Sequence, residues 1–199
     1  MDLKKDVTAE MRDFFNAHAE TWDKNCRHSA EKIAAIVTLA GVAAGSRIAD
    51  IGCGTGVLFP EILSRNPAYL EGIDLSEQMI RKAREKFSDP RLHLTASDCF
   101  RFRGTGFDAV LIYSAYPHFP DKARLAAQTA RMLKPGGRLM VAHSESRAVI
   151  NGRHTANAVS HLSWELRPVE EEASEFRDLF RIDMQADTDD IYFFSGTRK

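Results

Sequence analysis

Three glycines stand close together behind an apolar run in the stretch RIADIGCGTGVLF, residues 47–59. They are Gly52, Gly54 and Gly56, and Asp50 precedes the first of them by two positions. Glycines after a strand let the backbone turn sharply and approach a ligand closely. A carboxylate at position 50 would repel a pyrophosphate, whereas it suits a ligand with a cationic part, such as an ammonium group reached through water. The stretch therefore predicts a ligand-binding turn.

The spacing of these glycines departs from the dinucleotide-binding fingerprint GxGxxG. Gly52 and Gly54 fit its first two glycine positions, but Val57 occupies the third and the remaining glycine stands at position 56. The pattern therefore disfavours a pyrophosphate bound at the N-terminus of the following helix.

A known family shares this arrangement. The segment IADIGCGTG resembles the first motif, (D/E)xGxGxG, of the class I S-adenosylmethionine-dependent methyltransferases. Further matches follow in chain order between residues 45 and 145: Asp74 after YLEGI, Asp98 in TASDCF, the run FDAVLIY, and MLKPGGRLMVAH with its proline-glycine turn. The group that contains the ubiquinone and menaquinone biosynthesis methyltransferases is the most similar, although YPHFPD and HSESR differ from its pattern.

The resemblance implies S-adenosylmethionine as cofactor and assigns residues to it. Asp74 would accept hydrogen bonds from both ribose hydroxyls, Asp98 would meet the adenine amino group, and Met79 would contact the adenine ring. A tight turn, a helix N-cap at Asp74, a loop carboxylate and a core methionine are the simpler alternatives. The predicted cofactor residues are Asp50, Gly52, Cys53, Gly54, Gly56, Asp74, Leu75, Met79, Asp98, Cys99 and Tyr113.

Methyl transfer places demands on the acceptor side of the site. The reaction is an in-line displacement, so it needs an aligned acceptor and, where that acceptor carries a proton, a general base. Acceptors should lie beyond the carboxyl ends of the strands, here at YSAYPHFPDK after the fourth strand. Methylases of nucleobase amines carry (N/D/S)PP(Y/F/W) at this place, and the sequence Ser114–Pro117 reads SAYP instead. That departure disfavours nucleobase chemistry.

Three histidines are the predicted catalytic residues. His118 follows the fourth strand, His143 ends the fifth, and His154 lies in a segment that Gly152 makes a weaker helix candidate. We expect the first two to meet in one pocket, with His118 or His143 as the base and the later segment as a roof. A solvated helix face with hydrogen-bonded loop histidines is the alternative. The predicted stripe comprises Arg147, Asn151, His154 and His161.

Composition limits the classes of partner. The net charge of −1 gives no broad basic field, so we expect no nucleic-acid partner and instead a small-molecule acceptor. Neither a signal peptide nor a membrane-spanning apolar run is evident, which predicts a soluble cytoplasmic protein. A monomer or a homodimer is expected. The three cysteines are isolated, and no zinc-like spacing is present, so no metal is expected, although Cys26 and His28 form one possible pair.

Alternating apolar runs and helical patterns predict an α/β fold in one domain, residues 1–199. The expected architecture is a Rossmann-like, seven-stranded, mostly parallel sheet with helices on both faces, closed by an antiparallel hairpin at residues 180–186 and 191–197. Helices are predicted over residues 3–20 and 29–39. Residues 1–40 resemble the N-terminal lid of small-molecule methyltransferases, with Trp22 in it, and residues 144–168 are expected to cover the acceptor pocket.

Two rival functions remain at this stage. A methylase of RNA or protein would need a strongly positive acceptor face, which the balanced charge does not favour. A non-catalytic cofactor-binding module would be expected to have lost the glycines or Asp74, and both are present.

Overall fold

The computed structural model describes residues 7–26, 28–156 and 160–199, without the side chains of residues 154–156 and 160. The helices are α1 (Val7–His18), α2 (Trp22–Asn25), α3 (Ala30–Leu39), α4 (Phe59–Ser64), α5 (Glu77–Lys86), α6 (Lys122–Met132), α7 (Arg147–Ala156) and α8 (Val169–Ser174). The strands are β1 (Arg47–Ile51), β2 (Tyr69–Asp74), β3 (Leu92–Ala96), β4 (Phe107–Tyr113), β5 (Leu133–His143), β6 (Phe180–Asp187) and β7 (Tyr192–Arg198).

All seven strands form one sheet in the order β3-β2-β1-β4-β5-β7-β6. The first five are parallel, whereas β7 pairs antiparallel with both β5 and β6. The predicted fold class, including the C-terminal hairpin, is therefore confirmed. Strand order reverses between β1 and β4, and α/β sheets of this type bind ligands at the carboxyl edge beside such a reversal.

Helices cover both faces of the sheet because strand side chains alternate between them. Ile48 on β1 and Leu111 on β4 pack on one face with the apolar stripes of α3, α4 and α5. Ala49 follows Ile48 in the chain and Val110 precedes Leu111. Both pack on the other face of the sheet with α6 and α8. Both faces of the central strands are thus buried, which explains their continuous apolar sequences.

Polar caps set the start of three helices. Ser29, Ser76 and Asp121 each accept a hydrogen bond from the backbone N–H three positions later. These bonds satisfy amide groups that the first helical turn leaves without an intrahelical partner. The predicted helix over 29–39 is found as α3, and the helix predicted over 3–20 is found as α1 within the described residues.

The LKPGG segment differs in part from the expected turn before the fifth strand. Pairing between β4 and β5 begins earlier, with Phe107 opposite Leu133, and resumes with Ala109 opposite Arg138. The extra residues bulge out of the ladder, and Gly136 adopts a left-handed φ of 75° at the bend. Among the described residues, no helix is both long and apolar enough to cross a lipid bilayer.

Candidate active site

The glycine turn is bound to the end of β2. The backbone N–H groups of Gly52 and Cys53 both donate to the carbonyl of Ile73, at 2.8 and 3.1 Å. All three motif glycines have positive φ, and at Gly56 a Cβ would lie 2.4 Å from the ring of Phe59. A residue with a side chain at position 56 would therefore be strained in its backbone and in its packing.

Asp74 joins the glycine turn to the start of α5. Its Oδ2 accepts from the backbone N–H of Gly54, and its Oδ1 accepts from that of Ser76, both at 2.8 Å. Burial raises the pKa of this carboxyl to about 6. Each carboxylate oxygen has more than one lone pair, so the two oxygens can also accept from a ligand in the cavity. The alternative N-cap role belongs to Ser76, whose hydroxyl accepts from Met79.

Asp50 is a buried carboxylate at the end of β1. It is 1% exposed, and within the described part of the chain neither of its oxygens has a hydrogen-bond partner. Burial, with a smaller effect from the charge of Asp74, raises the pKa of Asp50 to about 8. An ionised carboxylate without a partner is costly in such a place. The position therefore fits a ligand that brings a positive charge or donors to this end of the sheet.

Without ligand, the melting temperature of the Asp50→Asn variant should rise relative to that of the parent protein as the pH is raised from 5 to 8. The folded-state pKa of Asp50 is about 8, whereas an aspartate in an unfolded chain titrates near about 3.9. Between these values the unfolded state binds fewer protons, so the parent loses stability with rising pH and the amide variant escapes this loss. Thermal melting curves measure this effect, because a change of 1 kcal/mol in the free energy of unfolding shifts the melting temperature by about 2–4 °C. If the difference in melting temperature between the variant and the parent did not change with pH, the raised pKa of Asp50 would be contradicted.

A cavity of about 1090 Å³ opens at the carboxyl edge of the parallel strands. Its lining includes every predicted cofactor residue except Asp50, which lies at the adjoining end of β1: Gly52, Cys53, Gly54, Gly56, Asp74, Leu75, Met79, Asp98, Cys99 and Tyr113. The loop that carries Asp98 is fixed by the bond from the Phe100 N–H to Asp98 Oδ1, 2.9 Å. Residues that are distant in sequence are thus gathered at one site.

Helix α2 covers the glycine end of this cavity. Trp22 lies over the turn, with its indole nitrogen 3.8 Å from the position of a Cβ on Gly54. Asp23 accepts from Thr55 Oγ1 at 2.5 Å and from Lys86 Nζ at 2.8 Å. The N-terminal segment is therefore tied to both the glycine turn and α5.

The structure separates the predicted catalytic histidines. His118 lines the cavity, where its Nδ1 lies 2.9 Å from the carbonyl of Leu162 and its ring meets that of Phe15 edge-on at 5.1 Å. His143 is buried, does not line the cavity and faces Tyr192. The expectation that these two histidines share a pocket is therefore corrected, because β5 directs the His143 side chain to the same face as Val141. The side chain of His154 lies outside the described residues.

The predicted polar stripe does not act as one surface. Arg147 pairs with Asp187 at 2.8 Å, Asn151 bonds the backbone of Leu166, and His161 meets Glu10 at 3.2 Å. This segment and others contribute further groups to the cavity that the sequence did not assign to the site. Those cavity residues are Arg153 on α7, Glu145 after β5, Arg124 on α6 and, from the N-terminal segment, Phe15 and His28.

Cys53 and Cys99, two of the three cysteines that line the cavity, are not activated nucleophiles. Burial raises the pKa of the Cys53 thiol well above its usual value and that of Cys99 to about 12. Both therefore stay protonated near neutral pH and pack as small apolar groups. Across the described residues, no group of three or more His, Cys, Asp or Glu side chains is placed to hold a metal ion.

Comparison with known proteins identifies this arrangement. Residues 48–137 match the family model described as a methyltransferase domain. This segment of the chain therefore matches a methyltransferase domain. The family match spans the glycine turn, Asp74, Asp98 and the segment that leads into β5, so the resemblance inferred from the sequence is confirmed.

Relatives of this chain include a demethylmenaquinone methyltransferase and a ubiquinone biosynthesis O-methyltransferase. The demethylmenaquinone methyltransferase of Tropheryma whipplei is 33% identical over 142 residues, covering 67% of this chain and 59% of the relative. The ubiquinone biosynthesis O-methyltransferase of Xylella fastidiosa is 34% identical over 102 residues, covering 49% of this chain and 41% of the relative. The chain thus spans less than two thirds of the length of either relative.

A solved structure shares the fold over the whole chain. Magnesium protoporphyrin IX methyltransferase of Synechocystis, crystallised with S-adenosylmethionine, superposes with a TM-score of 0.73 at 16% identity, covering 100% of both chains. At that identity the likeness concerns the fold.

Proposed function

We propose that the protein is an S-adenosylmethionine-dependent methyltransferase that acts on a small-molecule acceptor. The observation that carries the proposal is the single cavity that contains the glycine turn, Asp74 and Asp98 and continues past His118. At about 1090 Å³ it exceeds the roughly 300–1,000 Å³ typical of a pocket for one ligand. It has room for a cofactor and an acceptor together.

The cofactor end fits S-adenosylmethionine in its chemistry. When bound, this cofactor supplies an electrophilic methyl group on a sulfonium. Asp74 holds the ribose through its two oxygens, Asp98 accepts from the adenine amino group, and buried Met79 packs against the adenine ring. Asp50, which has no partner among the described residues and lies just outside the cavity lining, interacts with the positive part of the cofactor through water.

The acceptor end lies beyond β4. His118 and Phe15 form an aromatic wall there, and the carbonyl of Leu162 fixes the orientation of the His118 ring. We assign residues 1–40 as a lid over the cofactor and residues 144–168 as the cover of the acceptor. The contacts of Asp23 with Thr55 and of His118 with Leu162 support these roles.

Replacing His118 by alanine should lower turnover by about 10- to 100-fold, as expected when an acceptor is misplaced, and leave cofactor affinity near normal. Initial rates of methyl transfer and calorimetry of S-adenosylhomocysteine binding measure the two effects separately. A His118→Ala protein with unchanged turnover would remove this residue from the acceptor site.

Calorimetry on dialysed protein tests the proposed function first, with S-adenosylmethionine, S-adenosylhomocysteine and NAD as ligands. We expect micromolar binding of the first two and no binding of NAD. The second step supplies methyl-tritiated S-adenosylmethionine and a deproteinised small-molecule extract of cells that naturally make the protein. Label should move into small molecules. Binding of NAD alone would contradict the proposal, and so would binding of the cofactor without any transfer of label.

A methylase of RNA or protein is not favoured. The candidate acceptor end lies inside the covered cavity, and the net charge of −1 provides no extended basic surface. A cytoplasmic location and a monomeric or homodimeric state belong to the same proposal. Gel filtration coupled to light scattering tests the oligomeric state.

A further inference from the structure

A chain of hydrogen bonds connects the N-terminal segment to the carboxyl ends of β4 and β5. His28 Nδ1 lies 2.9 Å from the hydroxyl oxygen of Tyr113, and this hydroxyl donates to Ser144 Oγ at 2.7 Å. The backbone carbonyl of Ser144 accepts from Lys32 Nζ at 3.0 Å, which anchors the chain of bonds to α3. These contacts fix the half-buried ring of His28 at the wall of the cavity.

The direction of these bonds decides which nitrogen of His28 carries the proton. Burial raises the pKa of the Tyr113 phenol, so the hydroxyl keeps its hydrogen. In the bond to Ser144 Oγ, the Tyr113 hydroxyl is the donor. The phenol oxygen then accepts from His28, which places a hydrogen on Nδ1. In a neutral imidazole, Nε2 is left with the lone pair that can take a proton.

The surroundings of His28 keep its imidazole neutral near pH 7. Burial is the largest effect and lowers the pKa of His28, and Arg153 acts in the same direction, whereas Glu145 and Asp23 raise it. Arg153 also pairs with Glu145 at 2.5 Å, so their opposite charges offset each other at the ring. Cys26 lines the same cavity two positions earlier in the chain, and burial raises the pKa of its thiol, so that the thiol stays uncharged.

We propose that His28 is the general base of the reaction and that Tyr113 is its positioning residue. This inference rests on the proposed methyl transfer. His28 Nε2 takes the proton of the acceptor while the acceptor's electron pair forms the bond to the methyl carbon. The methyl–sulfur bond breaks, its electron pair stays on sulfur as a neutral thioether, and the proton passes from Nε2 to solvent. The acceptor therefore belongs to the class that carries a dissociable proton on its reacting oxygen, sulfur or nitrogen.

Nitrogen NMR tests the proposal without an acceptor. Protein labelled with ¹⁵N-histidine is recorded with saturating S-adenosylhomocysteine from pH 5 to 9, and the His28→Asn variant identifies the His28 signals. We expect a neutral ring at pH 7 with its hydrogen on Nδ1, and a partial loss of that tautomer preference in Tyr113→Phe. A cationic His28 at pH 7, or a hydrogen on Nε2, would overturn the proposal.

Tritium transfer into the small-molecule extract is the second readout. His28→Asn should lose about 10²- to 10⁴-fold in rate, the usual contribution of a general base. Tyr113→Phe should lose less, and its pH–rate profile should shift with the pKa of His28. The matched control is His93→Asn, which removes an exposed histidine outside the cavity and should keep the parent rate.

The outcomes separate this inference from the proposed function. In the parent and in His118→Ala, the rate should fall as the pH drops through the pKa of His28, and this fall should be absent from any residual activity of His28→Asn. A His28→Asn protein with the parent rate would overturn the role of His28 and leave methyl transfer intact. A parent protein that transfers no label would instead overturn the proposed function.

Discussion

Replacing Asp74 by alanine is expected to weaken the binding of S-adenosylmethionine by about 1–3 kcal/mol, or roughly 5- to 150-fold, because the ribose hydroxyls lose their charged acceptor in a buried site. The same change frees the N–H groups of Gly54 and Ser76, each of which donates to Asp74 at 2.8 Å. The glycine turn and the start of α5 should therefore loosen together. Calorimetry with S-adenosylmethionine and S-adenosylhomocysteine measures the loss of affinity.

Asp108→Ala is the matched control for this variant. Asp108 also accepts a backbone N–H, that of Arg47 at 2.8 Å, and pairs with Lys134 at 2.7 Å. It lies near the start of β4, away from the cavity. We expect the control to lose some stability and to bind the cofactor normally. Unchanged affinity in Asp74→Ala, or an equal loss in both variants, would be incompatible with ribose binding by Asp74.

The Gly56→Ala variant should lose about 2–5 kcal/mol of stability, the sum of a left-handed backbone and an overpacked contact. Gly56 has a φ of 92°, and an added Cβ would lie 2.4 Å from Phe59 and 2.8 Å from Phe87. Phe59 is fully buried in the core beneath the turn and cannot move away easily, and the partly buried Phe87 packs against that core. Urea denaturation measures the loss, and cofactor affinity should fall with it because the turn is displaced.

Gly136→Ala separates the two causes. Gly136 has a similar φ of 75°, but an added Cβ would meet no atom within 4 Å. This control should lose only the backbone contribution, about 1–2 kcal/mol, and should bind the cofactor as the parent does. If Gly56→Ala and Gly136→Ala lost the same free energy of unfolding, the close packing of Phe59 and Phe87 against the turn would add nothing to the cost of the Gly56 substitution.

The central part of the fold could be predicted from the sequence because local signals agree there. The apolar run FDAVLIY is found as β4 with the predicted bounds, since both faces of a central strand are buried. Ser29 caps α3 at the start of the predicted helix over 29–39, because a hydroxyl before a helix satisfies a free amide. The LKPGG segment was harder to predict, because the earlier pairing of Leu133 depends on Phe107 in another strand.

The acceptor end of the site was less predictable because it depends on contacts between distant segments. His28 meets Tyr113 across 85 positions in the chain, and no local pattern signals that contact. The sequence had marked this histidine only as one half of a possible pair with Cys26. His143 had been expected to meet His118 because the strand ends are adjacent, but the alternation of side chains along β5 packs it against Tyr192, away from the cavity lining.

The position of β7 has a consequence for how the domain assembles. Although β7 follows β6 in the chain, it lies between β6 and β5 in the sheet. As the chain is synthesised, β1, β2 and β3 can pair early, and with them the glycine turn, Asp74 and Asp98 come together. The edge of β5 keeps its hydrogen-bonding groups open until residues 192–198 arrive, and such an edge invites pairing with other chains. The proposed cofactor end of the site can thus form from segments that are neighbours in the chain. The sheet beside the proposed acceptor end is completed only when β7 pairs with β5.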